Sequence, residues 1–175
     1  MKLNRRSIRL KGFDYSISWV YSITIFTFDK KCTLGRIKGN KMYKNLFGKI
    51  VKEELINSNN IRKEIEIYEY SIMPNHLHFI VFIYNKYLKF QNNSDVRSET
   101  PTTCFKPHSL GVFINNFKGM VTKRIREIIK DNNLNFWQRN YYDHLIRNEE
   151  DYIHCVNYIR DNPKNWNDDD YNPEV

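Results

Sequence analysis

The pattern of apolar and polar positions changes character several times along this chain. From Trp19 to Phe28 the residues are mostly β-branched or aromatic, which predicts a strand. Cys32 to Lys38 is expected to pair with it through the Asp29-Lys30-Lys31 turn. From Tyr43 to Ile56 the apolar positions are Leu46, Phe47, Ile50, Val51 and Leu55, a helical spacing that Ser58-Asn59-Asn60 should close. Ile65 to Ile72 reads as a second major strand; Pro74-Asn75 then turns the chain into a third, His76 to Tyr84. Residues 85–108 have no periodicity and predict a flexible loop. Ser109 is placed to cap a helix reaching about Lys130, with a stripe of Phe113, Phe117, Met120, Val121, Ile125 and Ile128. Phe136 to about Arg147 is a compact aromatic and basic segment. Asn148 can cap a last helix whose first turn holds Glu149, Glu150 and Asp151, where the macrodipole favours them, and which Pro163 ends. Residues 1–13 form a basic arm and 165–175 a polar, acidic tail. With no internal repeat or second domain visible, 1–175 read as a single domain.

Two segments of this pattern carry candidate chemistry. Side chains alternate across a pleat, so His76 and His78 stand on one face with Ile80 and Phe82, and Leu77, Phe79, Val81 and Ile83 take the other. Two neighbouring imidazoles can share one divalent cation, although a bare H-x-H is equally a polar pair at a strand edge. In the last helix Tyr152, Cys155, Val156 and Ile159 form the stripe to be buried. Asp151, His154, Tyr158 and Asn162 form a second stripe, rotated from the first by roughly a quarter turn at about 100° per residue. Tyr158 is therefore not where core packing alone would put a tyrosine.

Composition narrows the partners. A chain of 175 residues carrying a formal charge of +8, with a pI near 9.3, points to a polyanion: nucleic acid first, an acidic membrane second. Aromatic residues, 15% of the chain, serve both a core and base stacking. Cys32, Cys104 and Cys155 are scattered without C-x-x-C spacing, which argues for a reducing compartment and against a disulfide framework or zinc knuckle. The first residues are not followed by a signal-peptide core, and no apolar run spans a bilayer, so a cytoplasmic location is expected.

Met73-Pro74-Asn75-His76-Leu77-His78 resembles the HUH motif of the single-tyrosine, IS200/IS605-like transposases. Trp137-Gln138-Arg139-Asn140-Tyr141-Tyr142-Asp143-His144-Leu145-Ile146-Arg147-Asn148-Glu149-Glu150 is similar to the signature of one branch, the REP-associated tyrosine transposases, and Tyr158-Ile159-Arg160-Asp161-Asn162-Pro163 to its tyrosine-helix ending. Weaker similarity runs through Arg6-Ser7-Ile8-Arg9-Leu10-Lys11-Gly12 and Asn116-Phe117-Lys118, so that the match spans about 6–167 except 85–108. The resemblance implies an α+β, ferredoxin-like antiparallel sheet with helices packed on one side. It implies that Tyr158 is the nucleophile, that His76 and His78 are metal ligands, and that Asn162 takes a third-ligand position where relatives often carry glutamine. A mixed nitrogen and oxygen set of this kind suits Mg²⁺ or Mn²⁺. The implied partner is single-stranded DNA with a hairpin or palindromic repeats, bound by a monomer or homodimer at the nucleoid. Arg5, Arg6, Arg9, Lys11, Lys118, Lys123, Trp137, Arg139 and Arg147 are candidate DNA contacts, and His154 is a candidate proton shuttle. Asp143 and His144 read as structural. The acidic tail departs from the basic version that some relatives carry. Two other readings stay open: a non-catalytic DNA-binding module that has kept the fold, and a metal-dependent nuclease that uses water.

Overall fold

The computed structural model describes residues 18–84 and 109–173. The expected loop 85–108 and the candidate contacts Arg5, Arg6, Arg9 and Lys11 lie outside the described residues. The elements are strand β1 (Trp19–Phe26), a hairpin of β2 (Gly35–Lys38) and β3 (Lys41–Lys44), helix α1 (Leu46–Ile61), strands β4 (Ile65–Ile72) and β5 (His76–Ile83), helix α2 (Leu110–Ile129), strand β6 (Tyr142–Leu145) and helix α3 (Glu149–Asp161). Without the hairpin and α3 this is a strand–helix–strand–strand–helix–strand unit. Its sheet has the order β4-β5-β1-β6, antiparallel throughout, the expected ferredoxin-like arrangement.

The sheet has two different faces. Tyr21, Ile23 and Ile25 of β1 and Leu77, Phe79, Val81 and Ile83 of β5 are fully buried on one of them. They meet Ile50, Val51 and Leu55 of α1 and Phe113, Phe117, Val121 and Ile125 of α2 in one apolar cluster. Each such side chain contributes about 1.5–3 kcal/mol, so this face carries most of the stability. Helices α1 and α2 cover it together, as expected. The opposite face takes α3, which rests on a small cluster of Ile80, Ile146, Cys155 and Ile159.

Local chemistry explains where the elements begin. Asn45 Oδ1 accepts from Gly48 N (3.0 Å), so α1 starts at Leu46 rather than Tyr43. It runs through Ser58-Asn59-Asn60 because Asn59 turns its Oδ1 outward to accept from Ile67 N of β4 (2.8 Å). Ser109 and Asn148 cap α2 and α3 as their sequence positions suggest. One pairing differs from expectation. The segment after β1 does not fold back on β1, both of whose edges are taken, by β5 and β6. Instead β2 pairs with β3 across Gly39-Asn40, both left-handed (φ 51° and 62°), the two-residue turn that suits a twisted hairpin. Among the described residues no helix is long and apolar enough to cross a membrane.

Lys118 of α2 secures the segment leading into β6. Its ammonium donates to the carbonyls of Gln138, Arg139 and Asn140. Burial pushes that ammonium down to about 8, a cost the three carbonyl acceptors offset. Lys118→Met keeps the aliphatic stem and removes every donor. It should destabilise the fold by about 1–3 kcal/mol, read as a fall in urea midpoint with unchanged slope.

Candidate active site

His76 and His78 open β5, and the pleat sends both towards α3. Their rings meet edge to face, with centroids 4.5 Å apart. Each ring is held by its Nδ1. Asn75 Oδ1 accepts from His76 Nδ1 at 2.7 Å, and His78 Nδ1 shares a 2.7 Å hydrogen bond with Thr24 Oγ1, its cross-strand partner on β1. Asn75 is itself fixed, because its Nδ2 donates to the carbonyls of Lys30 (3.0 Å) and Tyr171 (2.7 Å). Burial holds the His76 imidazole down to about 2, helped by the neighbouring His78, and burial holds His78 down to about 4. Both rings are neutral at pH 7. His76 must spend its one proton on Asn75, which leaves the lone pair on Nε2.

Both Nε2 atoms are buried and without a hydrogen-bond partner, and so is Asn162 Oδ1, just past the end of α3. Asn162 is 4% exposed. Its amide acts on both His76 and Tyr158, raising the imidazole and lowering the phenol, yet its Oδ1 meets no donor in hydrogen-bonding geometry. Buried polar atoms are rarely left unpaired, and three of them on residues gathered in one place form a donor set. Two neutral imidazoles and an amide oxygen, with each imidazole oriented through its other nitrogen, fit a divalent cation.

Tyr158 stands beside this set. Its ring is 5.2 Å from that of His78, edge to face, and about half of the residue is exposed. Burial pushes its phenol up, and Asp169 and Asp170 add to the shift. The tail supplies the rest of the wall. Tyr171 packs on Phe26 (4.6 Å) and His76 (5.6 Å), and the buried Trp166 lies 6.1 Å from His76. Asn75, Thr24, Trp166 and Tyr171 were not singled out by sequence reasoning. Asn75 lies inside the motif, where the local sequence indicates only a turn. Thr24 faces His78 through strand register, which no local pattern announces.

Helix α3 is held where Tyr158 and Asn162 meet the histidines. Cys155 and Ile159 are buried under it. Arg160 Nε donates to Glu69 Oε2 of β4 at 2.6 Å. At the other end, the Asp151 carboxylate sits 2.9 and 3.0 Å from His144 Nε2 of β6 and accepts from Arg147 N (3.1 Å). His144, Asp151 and Cys155 bring three ligand-type atoms within 4.8 Å of one another. Their polar atoms are spent on each other and on the helix start, so the trio serves as an anchor. His154 is exposed and makes no hydrogen bond among the described residues.

Two expected DNA contacts are engaged within the fold. Trp137 is 8% exposed, edge-on to Phe136 (4.9 Å) and tilted against Phe117 (6.2 Å), so its faces belong to the core and offer no base a platform. Lys118 is committed to backbone carbonyls. Lys123, Arg139 and Arg147 are exposed.

The fold places this protein in a structural class. It has the fold of the REP-associated tyrosine transposase, whose structure bound to a REP hairpin aligns with 89% of this chain and 73% of that one at a TM-score of 0.54 and 18% identity. The architecture implied by the sequence resemblance is thus the one observed. No family model matches the chain. An uncharacterized protein of Haemophilus influenzae is 36% identical over 168 residues, 95% of this chain and 92% of that one, and the chain belongs to the same family.

Proposed function

We propose that this protein is a metal-dependent DNA strand-transferase of the single-tyrosine transposase type, which cuts and rejoins single-stranded DNA near short palindromic repeats. The observation that carries this reading is the set of orphaned atoms, His76 Nε2, His78 Nε2 and Asn162 Oδ1, on residues beside the half-exposed Tyr158. These three residues would hold the divalent ion, Mg²⁺ or Mn²⁺. Bound there, it would offset the negative charge that builds on the scissile phosphate.

The chain's own part is nucleophilic substitution. The Tyr158 Oη attacks phosphorus, a new phosphorus–oxygen bond forms, and the bond to the 3′ oxygen breaks. The phenol loses its proton and the departing 3′ oxygen gains one. One phosphodiester replaces another, so the step runs backwards as readily and ends in strand transfer rather than hydrolysis. Thr24 and Asn75 keep the imidazoles oriented, and Arg160 and Asp151 keep α3 in position. The similar transposase is bound to a REP hairpin, which supports a hairpin-bearing DNA as substrate.

The second reading is a DNA-binding module that has kept the fold but not the chemistry. An end-labelled strand separates the two. Incubated with Mn²⁺, an oligonucleotide hairpin with unpaired flanks should leave a label 3′ to the cut on the protein in a denaturing gel, and a label 5′ to it free. Absence of any adduct alongside intact DNA binding would establish the binding module. An adduct with the opposite label would mean a 3′-phosphotyrosine and a different enzyme.

A further inference from the structure

The β2–β3 hairpin sorts its side chains by face. Arg36 pairs with Tyr43 and Lys38 with Lys41, and cross-strand partners share a face. Ile37 and Met42 take the other face, where Met42 packs against the core. The outward face is thus three cations and one tyrosine; Arg36, Lys38 and Lys41 are exposed, and Tyr43 is 55% exposed. From Lys30 to Lys52 the chain has no carboxylate side chain, and none of the three cations forms an ion pair among the described residues. Lysines directly opposite each other destabilise a hairpin, so Lys38 and Lys41 work against the fold unless an anion sits over them.

The hairpin is held rigidly, and at a telling place. Leu34, at its base, is fully buried; its N–H donates to the carbonyl of Pro74 (2.9 Å), in the turn just before His76, and its own carbonyl accepts from Asn45 N (3.1 Å). Gly35 sits at φ 148°, where an added Cβ would come within 2.2 Å of the Tyr43 carbonyl oxygen. We infer that the outward face of the β2–β3 hairpin is a docking surface for the phosphate backbone of the single-stranded DNA, with Tyr43 as a platform for one base. Charge complementarity selects the partner: unpaired cations around an exposed aromatic ring match a flexible polyanion carrying flat bases. The inference rests on the proposed DNA substrate and adds to it a surface built from residues other than the reacting ones.

The test is fluorescence anisotropy with a dye-labelled oligonucleotide hairpin bearing unpaired flanks. The R36Q/K38Q/K41Q variant should bind about tenfold or more weakly at ~0.1 M salt, and its plot of log affinity against log salt should be shallower by about 2. Adduct yield per bound protein should stay the same. If the triple variant melts early, K38Q/K41Q beside the solvent-exposed turn should still be shallower by about 1.4. Affinity within twofold of the unmodified protein, with an equal salt slope, overturns the inference and leaves the lysines as guards against strand addition. Binding without cleavage by the unmodified protein removes the strand-transfer reading alone. Normal cleavage with undiminished binding by the variants removes the hairpin surface alone.

Discussion

Tyr158→Phe should lower cleavage and adduct formation by at least about three orders of magnitude, because a missing nucleophile is not replaced by its neighbours. The substitution removes one oxygen from a side chain that is 48% exposed. The ring can keep its edge-to-face contact with His78. Stability should therefore change by no more than about 0.5 kcal/mol, and DNA affinity should be near that of the unmodified protein. The measurements are a denaturing gel for the adduct, anisotropy for binding and a thermal melt for the fold. Full cleavage by the variant would reject Tyr158 as the attacking group. Cleavage that persists without an adduct would mean that water attacks instead.

His76→Ala and His78→Ala should each abolish divalent-ion-dependent cleavage, and the effect should be visible without any DNA. If the ion binds the folded protein alone, Mn²⁺ at about a hundred times its dissociation constant adds about 2.7 kcal/mol of stability. For a chain of this size that raises the melting temperature by about 5–10 °C, and a chelator should reverse it. In either alanine variant the rise should vanish, whatever the variant's own starting stability. Asn162→Ala should keep part of the rise, since water can replace a neutral amide oxygen. An equal Mn²⁺ shift in all three variants would move the ion away from this site.

Much of the fold was legible because periodicity reports burial directly. Strand β4 is bounded as observed, and β5 to within a residue, because β-branched and aromatic residues recur along the first and the second is an almost continuously buried apolar run. The caps Ser109 and Asn148 were legible because a side-chain oxygen at a helix start has a single local task. The hairpin was missed because the turn signal of Gly39-Asn40 lies between short, half-exposed strands with little apolar pattern. Among site residues, His76, His78, Tyr158 and Asn162 came from their motifs, and the fold brings them together. Lys118 and Trp137 could not be sorted from sequence, since a lysine bound to carbonyls and one free for phosphate look alike until the tertiary contacts exist. Tyr171 lies in a stretch of polar and acidic residues, and only the returning chain shows that it packs on His76.

The division of the sheet into an apolar face and a histidine face bears on how such a protein can age. The side chains that hold the fold are on the α1–α2 side, and those with chemistry to offer are on the α3 side. Substitutions that silence the second face leave the first untouched. A lineage relieved of selection for cutting DNA would therefore keep a foldable chain long after its histidines had drifted. Its survivors would be recognisable by shape before they were recognisable by motif.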